Sequence, residues 1–578
     1  MPSLQQAPLA PEEPISQFVS DSELPLARLY RNELARSSEL FLTQPLHGIV
    51  SEWTWAAAMK EVRQMAAWLQ SQNWPPGSRI VILSKNCAWW LMADFAIWMA
   101  GHVSVPLFPA ASKSTIESLI QHCEPVACFL GQVDSALDFR TGPLSHLPCI
   151  TFPTFSAAPP PDAHPWIDII RNQQPLSGVP ARDALDVATI IYTSGTTGQP
   201  KGAMHTFQAL TLMGKSVARV LEKQARGNER ILSYLPLAHV AERAIVEMNA
   251  LFSPFEIFFV ETQDTFLADL KRSRATMFFS VPRLYARFQE KVFEAVPETR
   301  LNRLVALPFV GRLVRKRLLA RLGLGQARIA AGGGAATPVE LIKWYRTLGL
   351  NFIEGYGMTE TGITHVPPPG QYRLGYVGSS DSHVATRISR EGEVQIKGPM
   401  NMLGYFRNPE LTRQSMTGDG YFRTGDRGEI DDEGRLRLLG RLREEFKTAK
   451  GKYVVPGPIE MLLLSSPLIE SAAVFGAGMA SPLALVVLAP ERRQSCALGD
   501  ERAEVQRQLS ALLKHVNEQL EQHEQLRFLA VCMEPWTIEN GFLTPTAKIR
   551  RAALEQAYGA RFQEWEGRRE KILWVETL

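Results

Sequence analysis

The sequence predicts an α/β protein with a large, multi-layer N-terminal domain built on mixed sheets, followed by a small α+β C-terminal domain. Three observations lead there. Short apolar, β-branched or aromatic runs recur between helical stretches, which is the pattern of strands and helices stacked in layers. At 578 residues the chain is longer than one ordinary core accommodates. Around Asp419 to Arg443 the text changes to Gly- and charge-rich turns between short strands, TGDGYFRTGDRGEIDDEGRLRLLGR, which marks a change of architecture.

In chain order, the opening MPSLQQAPLAPEEPISQF carries neither a basic n-region nor an apolar h-region, so export is not expected. RIVIL (79–83) reads as a buried strand. The apolar stretch from Cys87 to Ala100 is interrupted by Asp94 and too short to cross a bilayer, so it is expected as a core helix. Residues 141–186 hold the Pro-rich FPTFSAAPPPDAHP and read as a surface connection. VATIIY (187–192), FEIFFV (255–260), TMFFS (276–280) and NFI (351–353) read as further strands. Residues 1–440 are assigned to the large domain. Residues 441–578, with strands SAAVFG and ALVVLA and a polar helix, form the small one.

Composition narrows the class. The 62 basic and 59 acidic side chains nearly cancel, to a formal +3, so nothing calls for nucleic acid as a partner. The six cysteines show no CxxC pair and no zinc-type spacing, which suits a reducing, cytoplasmic setting. One segment stands apart: residues 300–328, RLNRLVALPFVGRLVRKRLLARLGLGQAR, hold eight Arg/Lys and no acid among leucines and valines. It suits peripheral contact with anionic lipid on the inner membrane face, or a helix whose apolar face packs inward while its arginines stay solvated. No feature of the text sets an oligomeric state.

The chemistry-bearing text begins where VATIIY runs into Thr193-Ser-Gly-Thr-Thr-Gly-Gln-Pro-Lys-Gly202. Small residues let backbone amides face an anion, hydroxyls add donors, and Lys201 supplies one cation. A Walker A loop is excluded, because it requires glycine at Pro200 and Ser or Thr at Gly202. YTSGTTGQPKG resembles the signature of the adenylate-forming superfamily, which includes acyl-CoA synthetases, luciferases and peptide-synthetase adenylation domains. Six further blocks follow in that family's order: SYLPLAHVAER (233–243), AGGGAATP (331–338), EGYGMTET (354–361), YFRTGDRGEID (421–431), GRLREEFKTAKGKYVVPGPIE (440–460) and NGFLTPTAKIRR (540–551).

The resemblance implies ATP, Mg²⁺ and coenzyme A, with a small C-terminal domain that is mobile. Thr193, Ser194, Gly195, Thr196, Thr197, Gly198 and Lys201 would hold phosphates. Gly333, Gly334 and Ala335 would let backbone approach the adenine and the acyl carbonyl, alongside Glu354, Gly355, Tyr356 and Gly357. Thr359 would lie at the α-phosphate and Glu360 on Mg²⁺, a hard cation that prefers carboxylate and phosphate oxygens. Asp426 and Arg441 would take the ribose, and His239 would line the acyl entrance. Glu242 and Arg243 are expected to pair structurally.

Lys548 matches the family lysine that bridges the attacking carboxylate and the α-phosphate. A hinge is implied near Arg443, where relatives carry aspartate or lysine. The Lys450 and Gly451 loop would serve the pantetheine arm after a domain rotation. LSYLPLAHVAER, VPRLYARF (281–288) and the TPTAKIRR ending resemble the long-chain fatty acyl branch. The implied activity is therefore an AMP-forming acyl-CoA synthetase acting on a medium- or long-chain fatty acid. A fatty acyl-AMP ligase that loads a carrier protein, and an inactive lipid-binding relative, remain the alternatives.

Overall fold

A strand covered on both faces reads as a continuous apolar run, and in Arg79–Leu83 the four residues after Arg79 are fully buried while the strand pairs in parallel with Val103–Leu107 on one edge and Ala127–Leu130 on the other. The computed structural model describes residues 17–134, 143–193, 200–222, 227, 229–368, 370–497, 501–544, 548–568 and 570–575. Among these, the strand lies in an eight-stranded mixed sheet ordered Gly404–Tyr405, Lys201–Thr206, Val187–Thr193, Val103–Leu107, Arg79–Leu83, Ala127–Leu130, Cys149–Thr151, His164–Pro165. The expected helix is Ala88–Met99, with all twelve residues buried, which explains why its sequence is apolar on every face.

A second, seven-stranded sheet runs Asn351–Glu354, Ile329–Gly332, Met277–Ser280, Glu229–Ser233, Phe255–Phe259, Leu40–Leu46, Ile49–Thr54. The expected strands at 187, 255, 276 and 351 all lie within these two sheets. Residues 141–186 depart from the expectation of a surface connection. Cys149–Thr151 extends the first sheet, and Trp166 and Phe152 are buried against Phe129. The prolines break the local pattern, but the aromatic residues on either side still find the core.

A third sheet of four antiparallel strands, Ala385–Ile388, Glu393–Lys397, Phe422–Ile430 and Leu436–Arg441, ends at Arg441. Beyond the short hairpin Phe446–Lys447 and Tyr453–Val454 comes a separate four-stranded sheet, Ile469–Phe475, Leu483–Leu488, Leu529–Cys532 and Ile572–Val575. Its buried clusters draw only on residues from 446 onward, and those of the preceding sheets only on residues up to 438. Among the described residues, the buried clusters on the two sides of this boundary share no member.

Arg243 links the layers. Its guanidinium is wholly buried, ion-paired with Asp94 and with Glu247 at 2.9 Å, hydrogen-bonded to Thr189 Oγ1 at 2.8 Å, and flanked by the rings of Trp90 and Trp98. Burial pushes Glu247 well above the usual carboxylate range and raises Asp94 too, against the pull of the one guanidinium that both acids share. The expected pairing of Arg243 with Glu242 is corrected here. Neighbours on a helix point about 100° apart. Glu242 turns instead to Ser233 Oγ at 2.9 Å and the Tyr234 amide at 3.1 Å, and burial raises its pKa to about 8.

Candidate active site

Asp426 and Arg441 stand on adjacent antiparallel strands as direct cross-strand partners, which is the closest two residues fifteen apart in sequence can be placed. Arg441 Nε donates to Asp426 Oδ1 at 2.8 Å, and its Nη1 to the Thr424 carbonyl at 3.2 Å. The Tyr356 hydroxyl donates to Asp426 Oδ2 at 2.6 Å. Asp426 is buried and its pKa is raised by desolvation, against the pull of Arg441, Tyr356 and Lys548. A carboxylate already held on both oxygens by donors is oriented in advance for a ligand's hydroxyls.

The turn bearing Thr359 and Glu360 is fixed from two elements distant in sequence. His205, on the Lys201–Thr206 strand, bonds through Nε2 to the Thr359 carbonyl at 2.7 Å. Burial lowers the pKa of His205 to about 4, so the ring is neutral at neutral pH and Nε2 carries the donated hydrogen. The Tyr405 hydroxyl donates to Glu360 Oε1 at 2.8 Å, and the Met402 amide to the Glu360 carbonyl at 2.7 Å. Glu360 Oε2 has no hydrogen-bond partner among the described residues. His205 and Tyr405 escaped the sequence reading; no spacing connects them to Glu360, and only the pairing of strand 404–405 with 201–206 brings them there.

The phosphate-type loop connects two antiparallel strands, with Thr193 opposite Lys201. The chain continues from Lys201 as the strand Lys201–Thr206 rather than as a helix. Ser194, Gly195, Thr196, Thr197 and Gly198 lie outside the described residues. Gly333 is buried while Gly334 and Ala335 are exposed, directly after the Ile329–Gly332 strand. Glu354 shapes that loop by accepting the Thr337 amide at 2.7 Å, and burial raises its pKa to about 7. Gly355 and Gly357 flank Tyr356; a Cβ on Gly357 would fall 2.2 Å from the Gly362 carbonyl oxygen, so packing across the hairpin already requires glycine there.

His239 caps the helical turn Val240–Glu242 by accepting the Ala241 amide at 3.2 Å on Nδ1. Its pKa falls to about 4 through burial and, secondarily, through the charge of Lys548. A π-helical segment, Arg243–Met248, follows at once, and Arg243 anchors it in the core. Lys548 comes from the C-terminal unit, where the Thr544 amide donates to the Lys548 carbonyl at 2.8 Å and the Lys548 amide to Thr544 Oγ1 at 3.1 Å. The residue as a whole is exposed, yet enough protein surrounds its ammonium to lower its pKa. Desolvation leads, Arg441 adds to it, and Asp426 and Glu360 oppose it. One cation from the small unit therefore shares a field with His239, Asp426, Glu360 and Arg441 of the large one.

Among the described residues, the segment after Arg441 is ion-paired to the preceding sheets and helices through Arg427 with Glu445 at 2.9 Å and Arg283 with Glu470. Arg443 lies in the short 3₁₀ turn Leu442–Glu444, exposed. Lys450 and Gly451 are not brought to this site. They occupy an exposed turn closed by the Gly451 amide on the Thr448 carbonyl at 2.9 Å, with Gly451 at φ +73°.

Sequence profiles agree with this geometry. The profile of the family described as AMP-binding enzyme matches residues 40–406, and that of the AMP-binding enzyme C-terminal domain matches 446–565. The chain belongs to the AMP-binding enzyme family. Among curated relatives, the long-chain-fatty-acid–CoA ligase FadD15 of Mycobacterium bovis is 29% identical, over 92% of this chain and 95% of its own. The peroxisomal long chain acyl-CoA synthetase 6 of Arabidopsis thaliana is 28% identical, over 84% and 77%. Among solved structures, the adenylation domain of a carboxylate reductase from Mycobacterium chelonae superposes with a TM-score of 0.77 at 21% identity, over 97% of this chain and 94% of its own. The anthranilate CoA ligase AuaEII in complex with anthranoyl-AMP gives 0.75 at 21%, over 93% and 99%. Fold class and family are thus as the motifs implied.

Proposed function

We propose that this AMP-binding enzyme is a ligase that activates a medium- or long-chain fatty acid as its acyl adenylate, releasing pyrophosphate, and then transfers the acyl group to coenzyme A. The observation that carries the reading is Lys548 of the C-terminal unit lying in one field with Asp426, Glu360, Arg441 and His239. An ammonium brought over a nucleotide site from a separate body is what attack on an α-phosphate needs, because negative charge accumulates between carboxylate and phosphate. The relatives named for long-chain substrates support the substrate class.

In this reading Asp426, with Arg441 behind it, binds the ribose hydroxyls, and Tyr356 steadies Asp426. Thr359, Thr193, Lys201 and the loop between them receive the phosphates. Gly333, Gly334 and Ala335 leave room beside the base and the acyl carbonyl. His239 is neutral at working pH and lines the acyl entrance without adding a charge that would bind the fatty carboxylate too tightly.

Glu360 fits a magnesium ion carried in with the triphosphate: one buried carboxylate with a free oxygen suits a hard cation that keeps water and phosphate as its other ligands. No cluster of three or more metal-binding side chains occurs among the described residues, so the protein would supply few of those ligands. When bound, the ion would neutralise phosphate charge.

We place the domain division directly after Arg441, the last residue of the third sheet, one position beyond the sequence-based boundary, with Arg443 in the hinge. Rotation there would break the Arg427–Glu445 and Arg283–Glu470 pairs, withdraw Lys548 and carry the Lys450–Gly451 turn inward for thioester formation. We place the protein in the cytoplasm, where its six buried free thiols are stable.

The test is carboxylate-dependent ATP–pyrophosphate exchange across acids of graded chain length, followed by product analysis with coenzyme A and with an acyl carrier protein. Exchange that rises with chain length, with acyl-CoA as product, is expected. Exchange confined to short or aryl acids would overturn the substrate class, and transfer to the carrier protein alone would overturn the acceptor.

A further inference from the structure

The arginine-rich segment between strands Met277–Ser280 and Ile329–Gly332 forms two helices, Glu298–Ala306 and Val310–Arg321, joined by Leu307, Pro308 and Phe309. We propose that the tip of this helical hairpin docks on an anionic lipid bilayer. Fourteen large apolar side chains are exposed among the described residues, and four of them, Leu307, Phe309, Val310 and Leu313, fall within seven consecutive positions at this tip. Phe309 is 92% exposed, so the ring gains nothing from the fold.

The tip is held outward by its backbone. Phe309 takes φ +61° with ψ −52°, a γ-turn closed by the Val310 amide on the Pro308 carbonyl at 2.7 Å and a conformation rare for a bulky residue. Gly311 supplies the constraint. A Cβ there would fall 2.2 Å from the Val305 carbonyl oxygen, so the two helices close on one another at this glycine, and its amide donates to Leu307 O at 2.8 Å. The turn is therefore closed by the chain's own hydrogen bonds while the Phe309 ring projects from it and buries almost none of its surface.

The charge around the tip selects the occupant. Arg300, Arg303, Arg312, Lys316, Arg317 and Arg321 are exposed, and none is ion-paired among the described residues. No acid occurs between Glu298 and Glu340. Helical spacing puts Arg300 and Arg303 in line with Leu307, and Arg317 in line with Val310 and Leu313, so each apolar end merges into a basic stripe. That order suits a bilayer: the apolar tip enters the acyl boundary while the cations behind it lie at the level of lipid phosphates. Nucleic acid would use the charge but not the exposed tip. A second copy would set two identical basic surfaces against each other.

The experiment is flotation of the purified full-length protein with phosphatidylcholine vesicles and with phosphatidylcholine vesicles containing phosphatidylglycerol. The wild type is expected to float with the phosphatidylglycerol vesicles and to be released by high salt. Phe309→Gly suits the positive-φ backbone, so it removes the ring without harming the turn. Combined with Leu313→Ser it is expected to cut vesicle partitioning about tenfold or more, as is reversal of Arg312, Lys316 and Arg317 to Glu. Pyrophosphate exchange with a water-soluble carboxylate should be unchanged in both variants, so this outcome is independent of which acid the enzyme activates. Failure of the wild type to float with anionic vesicles would overturn the proposal. So would equal flotation of folded variants, or light scattering that shows a wild-type dimer which the variants lose.

Discussion

Removing the ammonium of Lys548 tests the central arrangement most directly. In Lys548→Ala the cation that shares a field with Asp426, Glu360 and Arg441 disappears, while the Arg441–Asp426 and Tyr405–Glu360 contacts stay in place. The residue as a whole is exposed, so the screening is that of a partly solvated pair rather than of a dry interior. An ammonium about 4 Å from a developing phosphate charge, at an effective dielectric of roughly 20 to 40, is worth about 2 to 4 kcal/mol. That corresponds to a loss of roughly 30- to 1,000-fold in adenylation. The assay is carboxylate-dependent ATP–pyrophosphate exchange, set beside thioester formation from preformed acyl adenylate and coenzyme A. The first should collapse and the second survive. Lys548→Arg separates charge from shape. It keeps a cation that does not titrate below about pH 12, whereas the wild-type lysine has a lowered pKa, so the alkaline fall in adenylation should come below pH 10.5 in the wild type and later in the variant. Equal losses in both half-reactions by a folded Lys548→Ala protein would refute the assignment.

Three further outcomes follow from the same geometry. Glu360→Gln keeps the Tyr405 contact but loses the charge, so half-saturation by Mg²⁺ in the exchange reaction should rise about tenfold or more with carboxylate binding little changed; an unmoved Mg²⁺ titration would reject the metal role. Gly451→Trp should retain exchange and lose acyl-CoA formation. No atom lies within 4 Å of the added Cβ, so bulk does no harm in the present state, and Gly451→Asn, which tolerates positive φ, is the control for backbone strain. A matching loss of both activities in Trp and Asn variants with lowered melting points would leave the residue a turn former only. Finally, burial holds His205 and His239 near pH 4, below their ordinary 6.5, so the unfolded chain binds more protons between those values. Their contribution to stability is full above pH 6.5 and is lost as pH falls toward 4. Thermal melts should show the decline in that window, and His205→Gln should flatten part of it; a melting point level from pH 7 to 4 would contradict the buried neutral state.

Much of this protein is written locally. A five-residue apolar run has few places to go but a covered strand, and RIVIL became Arg79–Leu83 without a shift in bounds; a helix apolar on every face became Ala88–Met99 with every residue buried. The motif blocks singled out Asp426, Arg441, Glu360 and Lys548 through the family they resemble, since each residue alone reads as a turn former or a solvated charge. What the sequence left open depends on sheet order. Tyr405 reaches Glu360 across 45 residues and His205 reaches Thr359 across 154, through strands whose pairing no local pattern states. The same holds for Arg243, which took Asp94, 149 residues away, in place of its neighbour Glu242. Whether a charge is buried, how far a pKa moves and which way a strained Phe309 points are properties of the surrounding three-dimensional field. Periodicity fixes what a segment prefers to be. Only the assembled layers decide what it stands beside, because the Coulomb and desolvation energies that make a site act through space and not along the chain.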